Sequence, residues 1–295
     1  MKVSVISPVH RVEWLDQILD SYVRQDLSDD KYEVIFLATN PANWQEVVGK
    51  VTAAQQHWKR DFRVVDCRGK SNCQSRNVGA TIAHGDILVF VDGDQILYSK
   101  LAATHLEFHS VGKIAVGLGI CNIDVHATSN GLVNYVVLPG GRGIRDKYEL
   151  RLRSILLKDF CEGLYPHQAL GYAFFQNPDK LTDYVNLVTR NCSVLKDVFW
   201  HHGGFDEAFG YSETSTSRGW EDTELGIRLR ECEFGTVPAW TIHPLHTSPG
   251  ANKDGGWGNM LLMCKKHPWF LEERRDWFER VRYPIAEVKK DLNNA

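Results

Sequence analysis

Residues 89–95 read V-F-V-D-G-D-Q and set two carboxylates, Asp92 and Asp94, one residue apart at the end of an apolar run. Like charges that close repel, and taking them out of water is costly unless a cation or a polar ligand joins them. A second acidic group lies far downstream in G-W-E-D-T-E-L-G-I-R-L, residues 219–229. If a helix begins near Glu221, its first turn holds Glu221, Asp222 and Glu224, where the helix dipole favours acids. On a helical wheel Asp222 shares a face with Leu225 and Leu229, so its carboxylate is expected to turn inward beside Trp220. An inward carboxylate needs a chemical reason, and a general base is one. The third group is W-T-I-H-P-L-H-T-S-P-G, residues 240–250, in which His243 and His246 follow a strand-like run. One imidazole joined to one or two aspartates suits Mn²⁺, whereas Mg²⁺ and Ca²⁺ prefer oxygen alone. Each group also has an ordinary reading: a polar turn, an acid-loving helix start and a surface histidine.

The elements that must position these groups alternate. Val3 to Ile6 reads as a buried strand closed by Pro8, and Trp14, Leu15, Ile18, Leu19, Tyr22 and Val23 then recur at helical spacing. Residues 32–37 form a second strand, and Trp44, Val47, Val48, Val51, Ala54 and Trp58 mark a second helix. A third strand at 62–65, a helix over 71–83 and a fourth strand at 87–91 complete the series. Such alternation implies parallel pairing with right-handed crossovers, hence an α/β layered, Rossmann-like domain. In these sheets ligands gather outside the carboxyl ends of the strands, which is where Asp92 and Asp94 fall. No G-x-G-x-x-G follows the first strand, and neither a P-loop nor a G-x-S-x-G elbow occurs, which counts against dinucleotide-binding, P-loop and hydrolase classes.

Composition narrows the field further. A chain of 295 residues with a formal net charge of -3 gives no reason to expect nucleic acid as a partner. Its seven cysteines are scattered and never spaced C-x-x-C, which argues against a disulfide framework or a cysteine-bound zinc. The M-K-V-S-V-I-S-P start shows no signal peptide and no stretch is apolar enough to span a membrane, so a cytoplasmic protein is expected. From Lys265 the sequence alternates basic and aromatic residues, with Trp269, Phe270, Trp277, Phe278 and Val281 near helical spacing. That stripe fits either a helix packed back on the domain or contact with the inner face of a membrane bearing a lipid-linked acceptor.

Taken together, S-V-I-S-P, S75-R-N-V-G-A80, V-F-V-D-G-D, N191-C-S, G203-G-F-D-E-A-F, G-W-E-D-T-E-L-G-I-R-L and H246-T-S-P-G resemble family 2-like glycosyltransferases of the GT-A fold. The later blocks look most like the chondroitin-polymerase and polypeptide N-acetylgalactosaminyltransferase branch. The resemblance implies one GT-A domain over residues 1–262, with a nucleotide-sugar half at 1–98, an acceptor half at 99–262 and a helical tail at 263–295. It implies that Asp92 contacts the nucleotide ribose and that Asp94, with Asp92 and His246, holds Mn²⁺ or Mg²⁺ against the diphosphate. Arg76 and Asn77 would line the donor pocket, Glu221 would bind acceptor hydroxyls, Pro8, Gly93 and Trp220 would be further substrate-binding residues, and Asp222 would be the general base. The implied reaction is metal-dependent, inverting transfer of a sugar from a nucleotide-diphosphate donor, UDP by preference, to a saccharide or glycan hydroxyl. Its alternatives are a retaining transferase and a domain that binds nucleotide or glycan without turnover. One departure is L37-A-T-N-P41, which stands where many relatives carry an acidic turn that reads the uracil; Thr39 or Asn40 is left to meet the base or simply to turn the chain. Residues 121–190 carry no motif of the family; their G140-G-R-G-I-R-D-K-Y-E-L-R stretch suits a closing loop or an ordinary charged one.

Overall fold

Strand propensity and burial on both faces explain the centre of the molecule. β1 (Val3–Val9), β2 (Tyr32–Ala38), β3 (Phe62–Asp66) and β4 (Ile87–Val91) are runs rich in Val, Ile and Phe that pair in parallel. They are joined through α1 (Leu15–Val23), α2 (Trp44–Trp58) and α3 (Asn72–Ile82). The computed structural model describes residues 1–12, 14–97, 99–110, 117–119, 121–127, 132–139, 153–156, 187, 189–209, 219–232, 235–237, 241–244, 256–275 and 285–294.

After β4 come β5 (Ile96–Leu97), α4 (Leu101–Ser110), β6 (Gly117–Gly119), β7 (Cys121–Ala127), β8 (Leu132–Pro139) and β9 (Arg153–Leu156). Then follow β10 (Asn191–Leu195), α5 (Lys196–His201), α6 (Glu221–Arg228), β11 (Gly235–Val237), β12 (Thr241–Pro244), α7 (Trp257–Lys266), α8 (Pro268–Glu273) and α9 (Ile285–Asn294). The main sheet runs β11-β6-β10-β4-β1-β2-β3, with β10 antiparallel between β4 and β6, and a second sheet runs β5-β12-β7-β8-β9. The strand order reverses between β1 and β4, so the D-G-D turn after β4 sits at the switch point.

Side-chain alternation divides the interior in two. Ile87, Val89 and Val91 of β4 join one core with residues of α1, α2 and α4, whereas Leu88 and Phe90 join the other with residues of α3, α6, α7 and α8. By the same alternation Asp92 falls on the face shared by α3 and α6. Phe199, Phe205, Leu225 and Met260 lie in the same cluster as Ile6, Leu37 and Phe90, so the halves expected at 1–98 and 99–262 share a core. The boundary expected at 262–263 falls inside α7, and Phe270, Leu271 and Val288 of the expected tail are buried in that cluster too. The tail thus packs back on the domain through the residues it shows; Trp277, Phe278 and Val281 lie outside the described residues.

β1 does not stop at Pro8. It continues to Val9, with Pro8 paired opposite Leu37. Pairing of β1 with β4 ends at Ile6↔Phe90, and Val9 offers its carbonyl to Thr39 on the β2 side at 3.1 Å. Successive residues of a parallel strand bond to opposite neighbours, so Pro8 faces β4 beyond the end of that ladder, where no N–H is needed.

Two polar networks are built into the sheet. At the amino ends of the strands, Glu33 is wholly buried and accepts from the Ser4 hydroxyl, the His84 N–H at 2.6 Å and the Gly85 N–H at 3.2 Å. Arg63 at 2.5 Å, the His84 imidazole Nδ1 at 3.3 Å and Lys2 at 3.6 Å lie around its other oxygen. Burial raises its carboxyl, but these bonds and charges outweigh that and hold it below the usual range. Nearer the carboxyl end, His105 of α4 is buried between Ser193 Oγ at 2.8 Å and Asn191 Oδ1 at 3.0 Å of β10, and burial pushes its imidazole down to about 3.

Candidate active site

The D-G-D turn is seated by its glycine. A Cβ on Gly93 would lie 2.0 Å from the carbonyl oxygen of Pro8, so only glycine lets this backbone rest on the end of β1. Asp92 and Asp94 flank that contact, and Gln95 donates from Nε2 to Asp94 Oδ1 at 2.9 Å.

α3 supplies the cation. Ser71 and Gln74 form a capping box, Ser71 accepting from the Gln74 N–H at 3.2 Å and Gln74 from the Ser71 N–H at 3.0 Å. Gly79 lets the helix lie close on the sheet, since a Cβ there would meet Ile6 at 2.6 Å. So fixed, α3 buries Arg76, 2% exposed, with its guanidinium over the Phe205 ring at 5.7 Å. Arg76 donates from one terminal nitrogen to Asp92 Oδ1 at 2.7 Å, and its other lies 3.5 Å from Glu221 Oε1. Burial works against the guanidinium charge, but Asp92 and Glu221 outweigh it and hold the group charged. Arg76 therefore joins the two acidic motifs that lie far apart in the sequence.

α6 begins where Trp220 takes a left-handed conformation, φ 75°. That bend turns Glu221 inward, where it is 8% exposed and its Oε2 has no hydrogen-bond partner. Burial raises the Glu221 carboxyl, the neighbouring Asp222 charge raises it further, and Arg76 opposes both. Asp222 is only half-buried and accepts from the Thr223 N–H at 2.8 Å. The buried positions of the helix are Glu221, Glu224, Leu225, Gly226 and Ile227, so of the Asp222, Leu225 and Leu229 stripe of the helical wheel it is Asp222 that does not turn inward. The helix ends at Arg228, so Leu229, although buried, no longer belongs to its wheel.

Asn77, Trp220 and Asn40 are held by partners outside the acidic cluster. Asn77 does not face the acidic cluster: its carboxamide donates to the Phe205 carbonyl at 2.9 Å and to Glu207 at 3.0 Å and accepts from the Phe205 N–H at 2.9 Å, tying α3 to the G-G-F-D-E loop. The Trp220 indole, expected to bind substrate, is 3% exposed and packs edge-on to Phe270 at 6.2 Å, so it supports Glu221 from within the core. Asn40 serves as a turn residue, its oxygen accepting from the Ala42 N–H at 3.0 Å and its nitrogen donating to the His10 carbonyl at 3.1 Å. His246 and the 140–151 segment lie outside the described residues.

One residue of the cluster escaped the sequence reading. Asn191 pairs with Val91, so Arg190 stands just before β10 across from Asp92 and lowers the proton affinity of that carboxyl. Burial is the largest influence on Asp92 and raises it; Arg76 lowers it and Asp94 raises it again, leaving it above its usual value. An arginine immediately before N191-C-S was the available signal.

Four carboxylates (Asp92, Asp94, Glu221 and Asp222) thus gather around Arg76 and Arg190, with a formal excess of two negative charges. That excess and the hard oxygen donors fit a divalent cation at the D-G-D turn. Among the described residues no three His, Cys, Asp or Glu side chains converge as a metal site. β12 runs antiparallel to β5, and the pairing Ile242↔Ile96 directs the chain that carries His243 toward Asp94.

No family model matches the chain. It is 25% identical over 291 residues to a Bacillus subtilis (strain 168) protein called the uncharacterized glycosyltransferase YfnE, covering 90% of this chain and 71% of that one. Its fold matches S. aureus TarS 1–349 in complex with UDP-GlcNAc at a TM-score of 0.54 and 13% identity, over 90% of this chain and 66% of that chain. It also matches GalNAc-T7 with UDP, GalNAc and Mn²⁺ at 0.62 and 14% identity, over 99% of this chain and 54% of that chain. With the mostly parallel sheet and its switch point, these likenesses establish the GT-A fold. The chain spans 65% of the TarS 1–349 structure without ligand, where the TM-score is 0.51. No helix among the described residues is long and apolar enough to cross a membrane.

Proposed function

We propose that this chain is a metal-dependent, inverting glycosyltransferase that moves a hexosyl or N-acetylhexosaminyl unit from a UDP-sugar to a glycan hydroxyl. The observation that carries the reading is Arg76, which unites the D-G-D turn and the E-D helix in one acidic cluster at the sheet's switch point. The names of the relatives support it: one is called a glycosyltransferase, and two of the matched structures hold UDP-GlcNAc or UDP with Mn²⁺.

In this reading Pro8 and Gly93 shape the floor of the donor pocket and Asp92 accepts hydrogen bonds from the ribose. Asp94, Asp92 and His246 would hold Mn²⁺ or Mg²⁺, which when bound supplies positive charge to the departing diphosphate. Arg190 adds positive charge beside Asp92 for the same oxygens. Arg76 bridges Asp92 and Glu221 and so holds the donor and acceptor sides in one register. Glu221 accepts from acceptor hydroxyls through its unpartnered oxygen, and Asp222, more open than Glu221, removes the proton from the attacking hydroxyl. Attack on the face opposite the leaving group gives inversion.

The test is hydrolysis of a panel of UDP-, GDP- and dTDP-sugars by the purified chain with Mn²⁺, against EDTA and Asp94→Ala. Metal-dependent release of UDP that is lost in the variant is expected. Absence of both hydrolysis and calorimetric binding across the panel would overturn the reading, and anomeric NMR of the transferred product distinguishes inversion from retention.

A further inference from the structure

Between α3, α5 and the 205–209 loop lies an open cleft of about 700 Å³. Its walls include Thr81, Trp200, Phe205, Glu207, Lys266 and His267. The volume falls in the range of ordinary ligand sites. Gly203 and Gly204, both at positive φ (84° and 70°), make the bend between α5 and the 205–209 loop that leaves it concave. Trp200 is 37% exposed and is one of three large apolar side chains among the described residues that stand so open.

The chemistry of the walls selects the ligand. Lys266 is paired with Asp206, while Arg228 binds Glu224 through 2.7–3.0 Å contacts and His267 lies 3.2 Å from the same carboxylate. A phosphate would therefore find its counter-charges already engaged, whereas among the described residues Glu207 is held only by the Asn77 carboxamide at 3.0 Å and still has acceptor capacity. A wholly apolar ligand would have to desolvate those ion pairs and the Glu207 carboxylate. What remains attractive is a neutral molecule with an apolar face and many hydroxyls. Trp200 offers the flat apolar face, and the Glu207 carboxylate and Thr81 hydroxyl offer exposed hydrogen-bonding groups beside it.

We propose that this cleft is a second saccharide-binding site, in which Trp200 stacks on a sugar ring and Glu207 accepts from its hydroxyls. Phe205 forms part of the cleft wall and also carries the Arg76 guanidinium on its ring, so the site backs directly onto the acidic cluster. The binding claim stands on the cleft alone. Its use, holding a glycan chain away from the point of transfer, rests on the transferase reading.

The experiment is saturation-transfer NMR on the whole chain, without donor or metal, against tetrasaccharides of β-linked hexose and of β-linked N-acetylhexosamine. Saturable binding is expected for at least one, weakened tenfold or more by Trp200→Ala and several-fold by Glu207→Gln, while metal-dependent donor hydrolysis is unchanged. Trp200→Phe, which keeps a smaller ring, should retain part of the affinity and carries the test if the alanine variant does not fold. Binding by no tetrasaccharide, or binding indifferent to changes at both Trp200 and Glu207, would overturn the site. Saccharide binding with neither hydrolysis nor calorimetric binding of any donor would instead keep this site and remove the transferase reading.

Discussion

Replacing Arg76 by methionine keeps the length and most of the volume of the side chain and removes the charge that two carboxylates share. Removing one partner of a buried ion pair costs about 3–5 kcal/mol, because the other is left charged and desolvated. Here Glu221 is 8% exposed and bears that penalty nearly in full, whereas the Asp92 side chain is 34% exposed and water takes up part of its share. The lower end, about 3 kcal/mol, is therefore expected at pH 8. The pH dependence identifies the cause. Without Arg76 both carboxyls move further above their unfolded values, so the deficit is smallest near the unfolded pKa, about 4, and grows as pH rises through the folded values. Urea titrations followed by tryptophan fluorescence at pH 5 and pH 8 would measure this. Arg76→Met combined with Glu221→Gln should recover a large part of the loss. A deficit equal at both pH values and not relieved by the second change would refute the charge-bridging account and leave only packing.

Three other perturbations separate the parts of the molecule. Gly93→Ala forces a methyl into the Pro8 carbonyl, so nucleotide affinity by calorimetry should fall more than tenfold, about 1.4 kcal/mol, while far-UV circular dichroism stays unchanged. Asp222→Asn should lower kcat by about 10²–10⁴ and leave donor affinity intact, which single-turnover and binding measurements distinguish. His105 is held near 3 by burial, so its neutral form favours the fold fully above about pH 6.5, and that contribution is lost as pH falls toward 3. From pH 6.5 to 5 the loss should be about 2 kcal/mol, and His105→Gln should flatten that slope in urea titrations.

The central sheet was legible because both its faces are buried: unbroken apolar runs such as I-L-V-F-V leave no other reading. Asp92 and Asp94 were legible for the same reason, since acids at the tip of such a run stand out. The phase of α6 was not, because it depends on the left-handed Trp220 and on a helix that stops before Leu229, and neither can be counted on a wheel. Asn77 and Trp220 show a related limit: residue type suggested a ligand role, but the partners that claim them come from segments distant in sequence. Arg190 was hidden by the same circumstance, for only the antiparallel register of β10 brings it across from Asp92. Pro8 misled by its usual meaning, since the end of the β4 ladder makes its missing N–H harmless.

Glu33 has a consequence for how such a molecule can change. Its single buried carboxylate ties β1, β2, β3 and the turn into β4 together at the end of the sheet farthest from the acidic cluster. The anchorage of the strands therefore does not depend on what surrounds their other ends. Segments at the cluster can be lengthened, exchanged or retuned toward a different sugar while the anchored end keeps the strands aligned, so mutational tolerance should be polarised along the strand axis.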